Sequence, residues 1–172
     1  MVLFSVGTSL APAYRRAFLL EMQEVLSVVK KTDSLSFTLC SDTALIHAAV
    51  RVSEGFAHEQ GVKDTLRVSV VLRELLSNAI SHGNRNIPDR KVNCRIDGVR
   101  RGGLRIVVQD EGDGFDFASL ETSLPDDPRS VRNRGYVLIH NICDSVEFNE
   151  PGNQVTVLIG TANQLAEERI LR

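Results

Sequence analysis

Lys91-Val92-Asn93-Cys94-Arg95-Ile96-Asp97 and Leu104-Arg105-Ile106-Val107-Val108-Gln109 decide how this chain folds. Each is a short run rich in β-branched and apolar residues, and the glycine-bearing turn at Arg100–Gly103 joins them. Strands connected that closely pair antiparallel. A second pair of runs, Ser145–Asn149 and Gln154–Ile159, flanks the turn Glu150-Pro151-Gly152-Asn153. A doubly wound parallel sheet needs helices between most of its strands, and these connections have no room for them. The expected fold is therefore α+β: a two-layer α/β sandwich, its sheet mixed but mostly antiparallel, with the helices on one face.

The rest of the chain supplies the helices. Leu35–Cys40 alternates as one more half-buried strand does. Asp42 is placed to cap a helix running to about Gln60, and Gly61 stops it. Asp64 caps the next, to about His82, with Gly83 closing it and an apolar stripe at Val68, Val71, Leu72, Leu75, Leu76 and Ala79. A short helix covers about Tyr136–Cys143. Residues 12–31 also show three- and four-residue spacing, at Phe18, Leu19, Met22, Val25, Leu26 and Val29, which predicts a helix. Pro12 suits its first turn, and Lys30 and Lys31 its last. Such a helix either packs on its own domain or serves as a dimerising or partner-binding leader. The expected division is a leader over 1–34, one domain over 35–161 and a tail over 162–172.

Composition narrows the function classes. Of 172 residues, 42% are hydrophobic and 24% charged, the balance of an ordinary globular chain. A net charge of −2 gives no bulk attraction to nucleic acid, and 5% aromatics with no Trp leaves little for base stacking along a strand. No run approaches the roughly 18 apolar residues of a membrane span, and the apolar start lacks a basic flank, so a cytoplasmic protein is expected. Cys40, Cys94 and Cys143 are far apart with no Cys-x-x-Cys pair, and His is present four times. Neither a disulfide framework nor a metal site built only from protein ligands is expected.

Three short pieces carry chemistry. Glu74 and Asn78 lie one helical turn apart on one face. A carboxamide oxygen is a hard, neutral ligand for Mg²⁺, which also takes oxygens from substrate phosphates, and a carboxylate one turn earlier can accept a proton nearby. The same pair also reads as a solvated helix face. Asp110-Glu111-Gly112-Asp113-Gly114-Phe115 follows a strand directly. Its alternate glycines permit positive φ and close approach of a ligand, and its first carboxylate can accept from the exocyclic amine of adenine. A simple Asx turn accounts for the same residues, whereas a Ca²⁺ loop does not, because the bidentate Glu near position twelve and the flanking helices are missing. Arg132-Asn133-Arg134-Gly135 precedes a helix whose N-terminus offers free N–H groups to a phosphate, with Arg129, Arg132 and Arg134 adding charge; taken alone, the same residues also read as a solvated basic loop. The stretch Phe117–Arg132 before it is as long as loops that bind or cover ligands.

In this order the three pieces resemble the GHKL (Bergerat-fold) ATPases, of the histidine-kinase-like ATPase type. The likeness is closest to their small bacterial branch, the anti-sigma-factor serine/threonine kinases of the RsbW type. Glu74-Leu75-Leu76-Ser77-Asn78-Ala79-Ile80-Ser81-His82-Gly83, Asp110–Asp116 and Ile139–Asp144 running into Val146-Glu147-Phe148-Asn149 carry it, over about residues 35–160. The resemblance implies ATP and Mg²⁺ as cofactors. Asn78 would hold Mg²⁺ against the nucleotide phosphates and Glu74 would be the general base; His82, by its own position near that site, is placed either to contact a phosphate or to cap the helix. Asp110 would read the adenine amine, Gly112 and Gly114 would make room for the base, and Arg134 and Gly135 would lie by the phosphates. In that branch the phosphoryl group goes to a Ser or Thr of a STAS-domain anti-anti-sigma factor. The kinase, usually a homodimer, alternately holds a sigma factor or that antagonist, with no direct nucleic-acid or membrane contact.

Two stretches depart from the family pattern. Its phosphate-side loop usually ends Gly-Arg-Gly-Leu, and this chain has Asn133-Arg134-Gly135-Tyr136. A Thr pair often follows the turn glycine near the last strand, and here Asn153-Gln154 stand instead. A nucleotide-gated binding module with little or no kinase activity is the alternative these changes leave open. A sensor histidine kinase's catalytic domain ranks lower, since residues 1–34 hold no His.

Overall fold

A computed structural model describes residues 26–99, 103–117 and 134–160 of the chain. In chain order its elements are β1 (Leu26–Lys30), β2 (Ser34–Cys40), α1 (Ile46–Glu59), α2 (Thr65–Asn78), β3 (Lys91–Val99), β4 (Gly103–Gln109), α3 (Arg134–Ile142), β5 (Ser145–Phe148) and β6 (Gln154–Ile159). The strands form one six-stranded sheet in the order β1-β2-β3-β4-β6-β5. All pairings among them are antiparallel, so the two-layer α+β sandwich holds, with a sheet more uniform than a mixed one.

Alternation along the strands builds the core. Leu35, Phe37 and Leu39 of β2, Val92, Cys94 and Ile96 of β3, and Leu104, Ile106 and Val108 of β4 are all buried. The register sets them side by side, with Phe37 opposite Cys94 and Cys94 opposite Val108. The helices cover that face. Val68, Val71, Leu72, Leu75 and Leu76 of α2 and Ile46, Ala49, Val50, Phe56 and Ala57 of α1 join the same apolar cluster. Burying a side chain of this size contributes about 1.5–3 kcal/mol. The helix ends follow local chemistry. Asp64 Oδ1 accepts from Arg67 N at 3.3 Å, and Asp42 Oδ1 accepts from Ala44 N at 2.8 Å, capping a 3₁₀ turn over Thr43–Leu45 that leads into α1. Gly61, at φ +80°, turns the chain out of α1 in the left-handed region that glycine adopts without strain. Ser69 Oγ donates to Glu54 and ties α2 to α1.

Residues 26–30 correct the helix expected over 12–31. They form β1, the edge strand, in register Leu26↔Leu39 through Lys30↔Leu35. Lys31 N donates to Ser34 O at 2.7 Å and closes the turn. The adjacent β-branched Val28 and Val29 suit a pleated strand, and the ladder to β2 supplies hydrogen bonds that outweigh a helical spacing of apolar residues. Lys30, expected in a last helical turn, instead meets Glu59 at the end of α1, Nζ to Oε1 2.6 Å. Residues 12–25 of the expected helix, the turn expected at 100–103 apart from Gly103, and residues 118–133 and 161–172 lie outside the described residues. The short helix expected at Tyr136 begins two residues earlier, at Arg134. No described helix is long and apolar enough to cross a membrane.

Candidate active site

α2 delivers the first two side chains. Its buried stripe turns Leu75 and Leu76 into the core, and Glu74 and Asn78 are left on the flank, partly buried, over a cavity of about 750 Å³. After Asn78 the helix widens into a single π-helical turn, Ala79–Gly83. Such turns cost regular hydrogen bonding and concentrate at functional positions. Here the turn brings His82 and Gly83 to the cavity as well. His82 is exposed at its rim.

The opposite side is the loop that leaves β4. Asp110 Oδ1 accepts from Gly112 N at 2.8 Å, and Asp110 N donates to Asn153 O at 3.0 Å, so the carboxylate is fixed by its own turn and by the β5–β6 hairpin. Burial pushes the Asp110 carboxyl above the usual carboxylate range, against the opposing pull of the Gly112 N–H and the Arg90 charge. Gly83 packs directly against it: a Cβ there would fall inside the Asp110 carboxylate. A Cβ at Gly112 would overlap the Gly83 carbonyl. Gly114, at φ +80°, lies so close to the Pro151 carbonyl that no side chain fits.

α3 closes the third side. Gly135, in its first turn, faces Glu74 and Asn78; a Cβ built on it would stand 2.7 Å from Glu74 Oε2 and 3.6 Å from Asn78 Nδ2. The Asn78 amide nitrogen is buried and has no hydrogen-bond partner among the described residues. Unmet buried donors are rare and mark places where a ligand or water completes the set. Among the described residues no cluster of three or more His, Cys, Asp or Glu is placed to hold a metal ion. An Mg²⁺ ion here would depend on the Asn78 carboxamide, waters and phosphate oxygens, as Mg²⁺ sites commonly do. The Asn78 carboxamide oxygen and the space left by Gly135 fit Mg²⁺ carried with a nucleotide, whereas the unpartnered Nδ2, a hydrogen-bond donor, calls for an acceptor such as a phosphate oxygen.

The structure thus brings Glu74, Asn78, His82, Asp110, Gly114 and Gly135 around one cavity. Gly112 supports Asp110 from just behind. Arg134 opens α3; its side chain, with Arg129, Arg132 and Asn133, lies outside the described residues. Sequence reasoning missed the residues that hold these in place. Asn84 is fully buried; its Nδ2 donates to Ser41 Oγ at 2.8 Å and Lys91 O at 3.0 Å, and its Oδ1 accepts from Glu111 N at 2.8 Å. It thereby links the end of α2, β2, β3 and the Asp110 loop. Asn153, which stands where a Thr was expected, donates from Nδ2 to Gly112 O at 3.3 Å and accepts from Asn149 Nδ2 at 2.7 Å. Phe115, Tyr136 and Phe148 also line the cavity. The only signals in the sequence were the Pro151-Gly152 turn and the aromatic just after Gly114.

No curated protein matches the chain. Among solved structures, the histidine kinase domain from the Erythrobacter litoralis EL346 blue-light activated histidine kinase is similar at 17% identity and a TM-score of 0.47, over 94% of this chain and 80% of the other. A model of the histidine kinase-like ATPase domain matches residues 39–159. That span takes in the end of β2, every later element and the whole of the cavity, and the chain belongs to the histidine kinase-like ATPase domain family.

Proposed function

We propose that the chain is an ATP-binding protein serine/threonine kinase of the anti-sigma-factor type. It would phosphorylate a STAS-domain antagonist and so exchange that antagonist for a sigma factor, acting in the cytoplasm as a homodimer. One observation carries the reading: Glu74 and the unpartnered Asn78 amide sit together against Gly135, across one cavity from Asp110. Family membership supports ATP as the ligand, and the Glu74–Gly83 and Asp110–Asp116 stretches support the anti-sigma branch.

Bound Mg·ATP supplies a transferable phosphoryl group and a cation that neutralises its charge. The chain supplies placement. Asp110 accepts from the amine edge of the base, and the glycine at 83 lets its carboxylate sit deep enough to do so. Asn78 would offer its carboxamide oxygen to the metal. Glu74 would take the proton of the partner's hydroxyl as that oxygen bonds to the γ-phosphorus and ADP leaves, and Gly135 leaves the carboxylate uncovered. Free N–H groups in the first turn of α3 receive phosphate oxygens.

A second reading, a nucleotide-gated binding module, is favoured by Tyr136, whose ring enters the cavity directly after Gly135. The test incubates the protein with Mg·ATP and a STAS-domain protein. The kinase reading expects a phosphoserine or phosphothreonine on that partner, formed about 10²–10⁴ times more slowly with Glu74→Ala. Tight Mg·ATP binding with no transfer selects the binding module, and transfer that survives Glu74→Ala removes that residue from the chemistry.

A further inference from the structure

We infer that Glu111 is a positioning residue for Asp110: its carboxylate takes over a rung of the β3–β4 ladder where that ladder is wedged open, and so holds the loop after β4 at the angle that aims Asp110 into the cavity. The inference rests on the nucleotide reading of the cavity and adds to it a residue that is not among the described residues lining it.

The register shows where the rung is lost. Gly98 N donates to Asp33 O at 2.9 Å in line with the β2–β3 pairing, so the even-numbered residues of β3 bond toward β2 and the odd-numbered ones toward β4. The pairing that sets Asn93 opposite Gln109 would next set Lys91 opposite Glu111, joined by two main-chain bonds. Neither is made directly. The Asn84 carboxamide stands between the two residues, accepting at Oδ1 from Glu111 N at 2.8 Å and donating from Nδ2 to Lys91 O at 3.0 Å. The remaining donor, Lys91 N, goes to Glu111 Oε2 at 2.9 Å. Asn84 thus bridges one missing bond, and the Glu111 carboxylate replaces the other.

This arrangement governs Asp110 because the loop has two anchors and the carboxylate travels with it. Asp110 N is tied to Asn153 O on the β6 side, and Glu111 supplies the tie on the β3 side. Asp110 Oδ1 is bound to Gly112 N within the same loop, so its direction follows the loop's angle. The β3 side is the fixed one: Asn84 is fully buried, and Ser41 Oγ donates to Arg90 O at 2.9 Å just before Lys91. Glu111 is itself exposed. A loop carboxylate with no task would give both its oxygens to water; this one spends an oxygen on a main-chain N–H beside the residue that reads the ligand.

The test is calorimetric titration with Mg·ATP of wild type, Glu111→Ala, Glu111→Gln, Asp110→Asn and the Asp110→Asn/Glu111→Ala double variant, with exchange of the Lys91 amide proton followed by NMR in the unliganded proteins. Glu111 is exposed, so its variants keep the fold, and unliganded melting curves check this. Glu111→Ala is expected to weaken Mg·ATP about tenfold and to speed Lys91 exchange by about as much. Glu111→Gln keeps an oxygen that accepts from the same N–H and is expected to recover binding to within about threefold of wild type. In the Asp110→Asn background Glu111→Ala is expected to cost less than about twofold, because the residue acts through Asp110. The same loss in both backgrounds overturns the inference, since it marks a general structural effect. Equal Mg·ATP affinity in wild type and Glu111→Ala overturns it while leaving nucleotide binding intact. So does Glu111→Gln binding as poorly as Glu111→Ala, or Lys91 exchange that Glu111→Ala leaves unchanged. Failure of wild type to bind Mg·ATP at all takes down the nucleotide reading, and the role of Glu111 with it.

Discussion

Asp110 shows how burial makes a single carboxylate costly to the fold. Its raised pKa means the folded protein holds the proton more tightly than the unfolded chain, whose Asp titrates near 3.8. The folded state thus binds more protons, and the stability contributed at this site falls as pH rises above that value. Asp110→Asn removes the charge and keeps an oxygen for the Gly112 N–H. Melting curves of the unliganded proteins from pH 4 to 7 should therefore show wild type losing ground to Asp110→Asn as pH rises. At pH 7 the same variant should bind Mg·ATP about ten- to a hundredfold more weakly, by calorimetry; a variant that loses in both measurements would contradict the balance described. The Asp110-x-Gly112-x-Gly114 pattern was legible in the sequence because its geometry is local. The contact that gives Gly83 its purpose was not, because it joins residues that only the folded sheet brings together.

At the level of elements, α2 is as much a bracket as a helix. It carries Glu74 and Asn78, passes through a π turn and ends on Asn84, whose side chain ties it to Ser41, Lys91 and Glu111. Truncating that amide strands several buried groups at once. Asn84→Ala is expected to cost about 2–4 kcal/mol in urea unfolding and to weaken nucleotide binding although Asn84 does not line the cavity. A loss below about 0.5 kcal/mol would show that water replaces the amide without penalty. The caps at Asp42 and Asp64, the stop at Gly61 and the apolar stripe of α2 could all be read in advance, since each depends on neighbours within a turn or two; the end of α2 at Asn78, with Gly83 inside the π turn instead of closing the helix, could not. β1 could not. Phe18 through Val29 satisfies a helical spacing, and only pairing with Leu35–Leu39 shows residues 26–30 to be an edge strand. Nor does any local signal foretell that β6 inserts between β4 and β5.

For the whole molecule, the helices shield one face of the sheet, and Cys94 lies beneath them at its centre, 3% exposed, with burial pushing its thiol well above the ordinary range. Cys40 and Cys143 are partly exposed, so site-resolved alkylation distinguishes them. At pH 8, Cys94 should be modified only as fast as the molecule opens globally. Saturating Mg·ATP should slow that modification in proportion to its excess over Kd, about a hundredfold at a hundred times Kd. Rapid labelling of Cys94 in the folded state would contradict the packing of β3 against its neighbours. The two glycines that touch across the site, Gly114 against Pro151 and Gly152 against Phe115, carry a further consequence. Hairpin tips are ordinarily where a β protein best accepts extra residues. In this chain the tip between Asn149 and Gln154 is the floor under the aspartate, so lengthening it by even one residue would lift that floor, and engineering or natural drift must treat the two segments as one part.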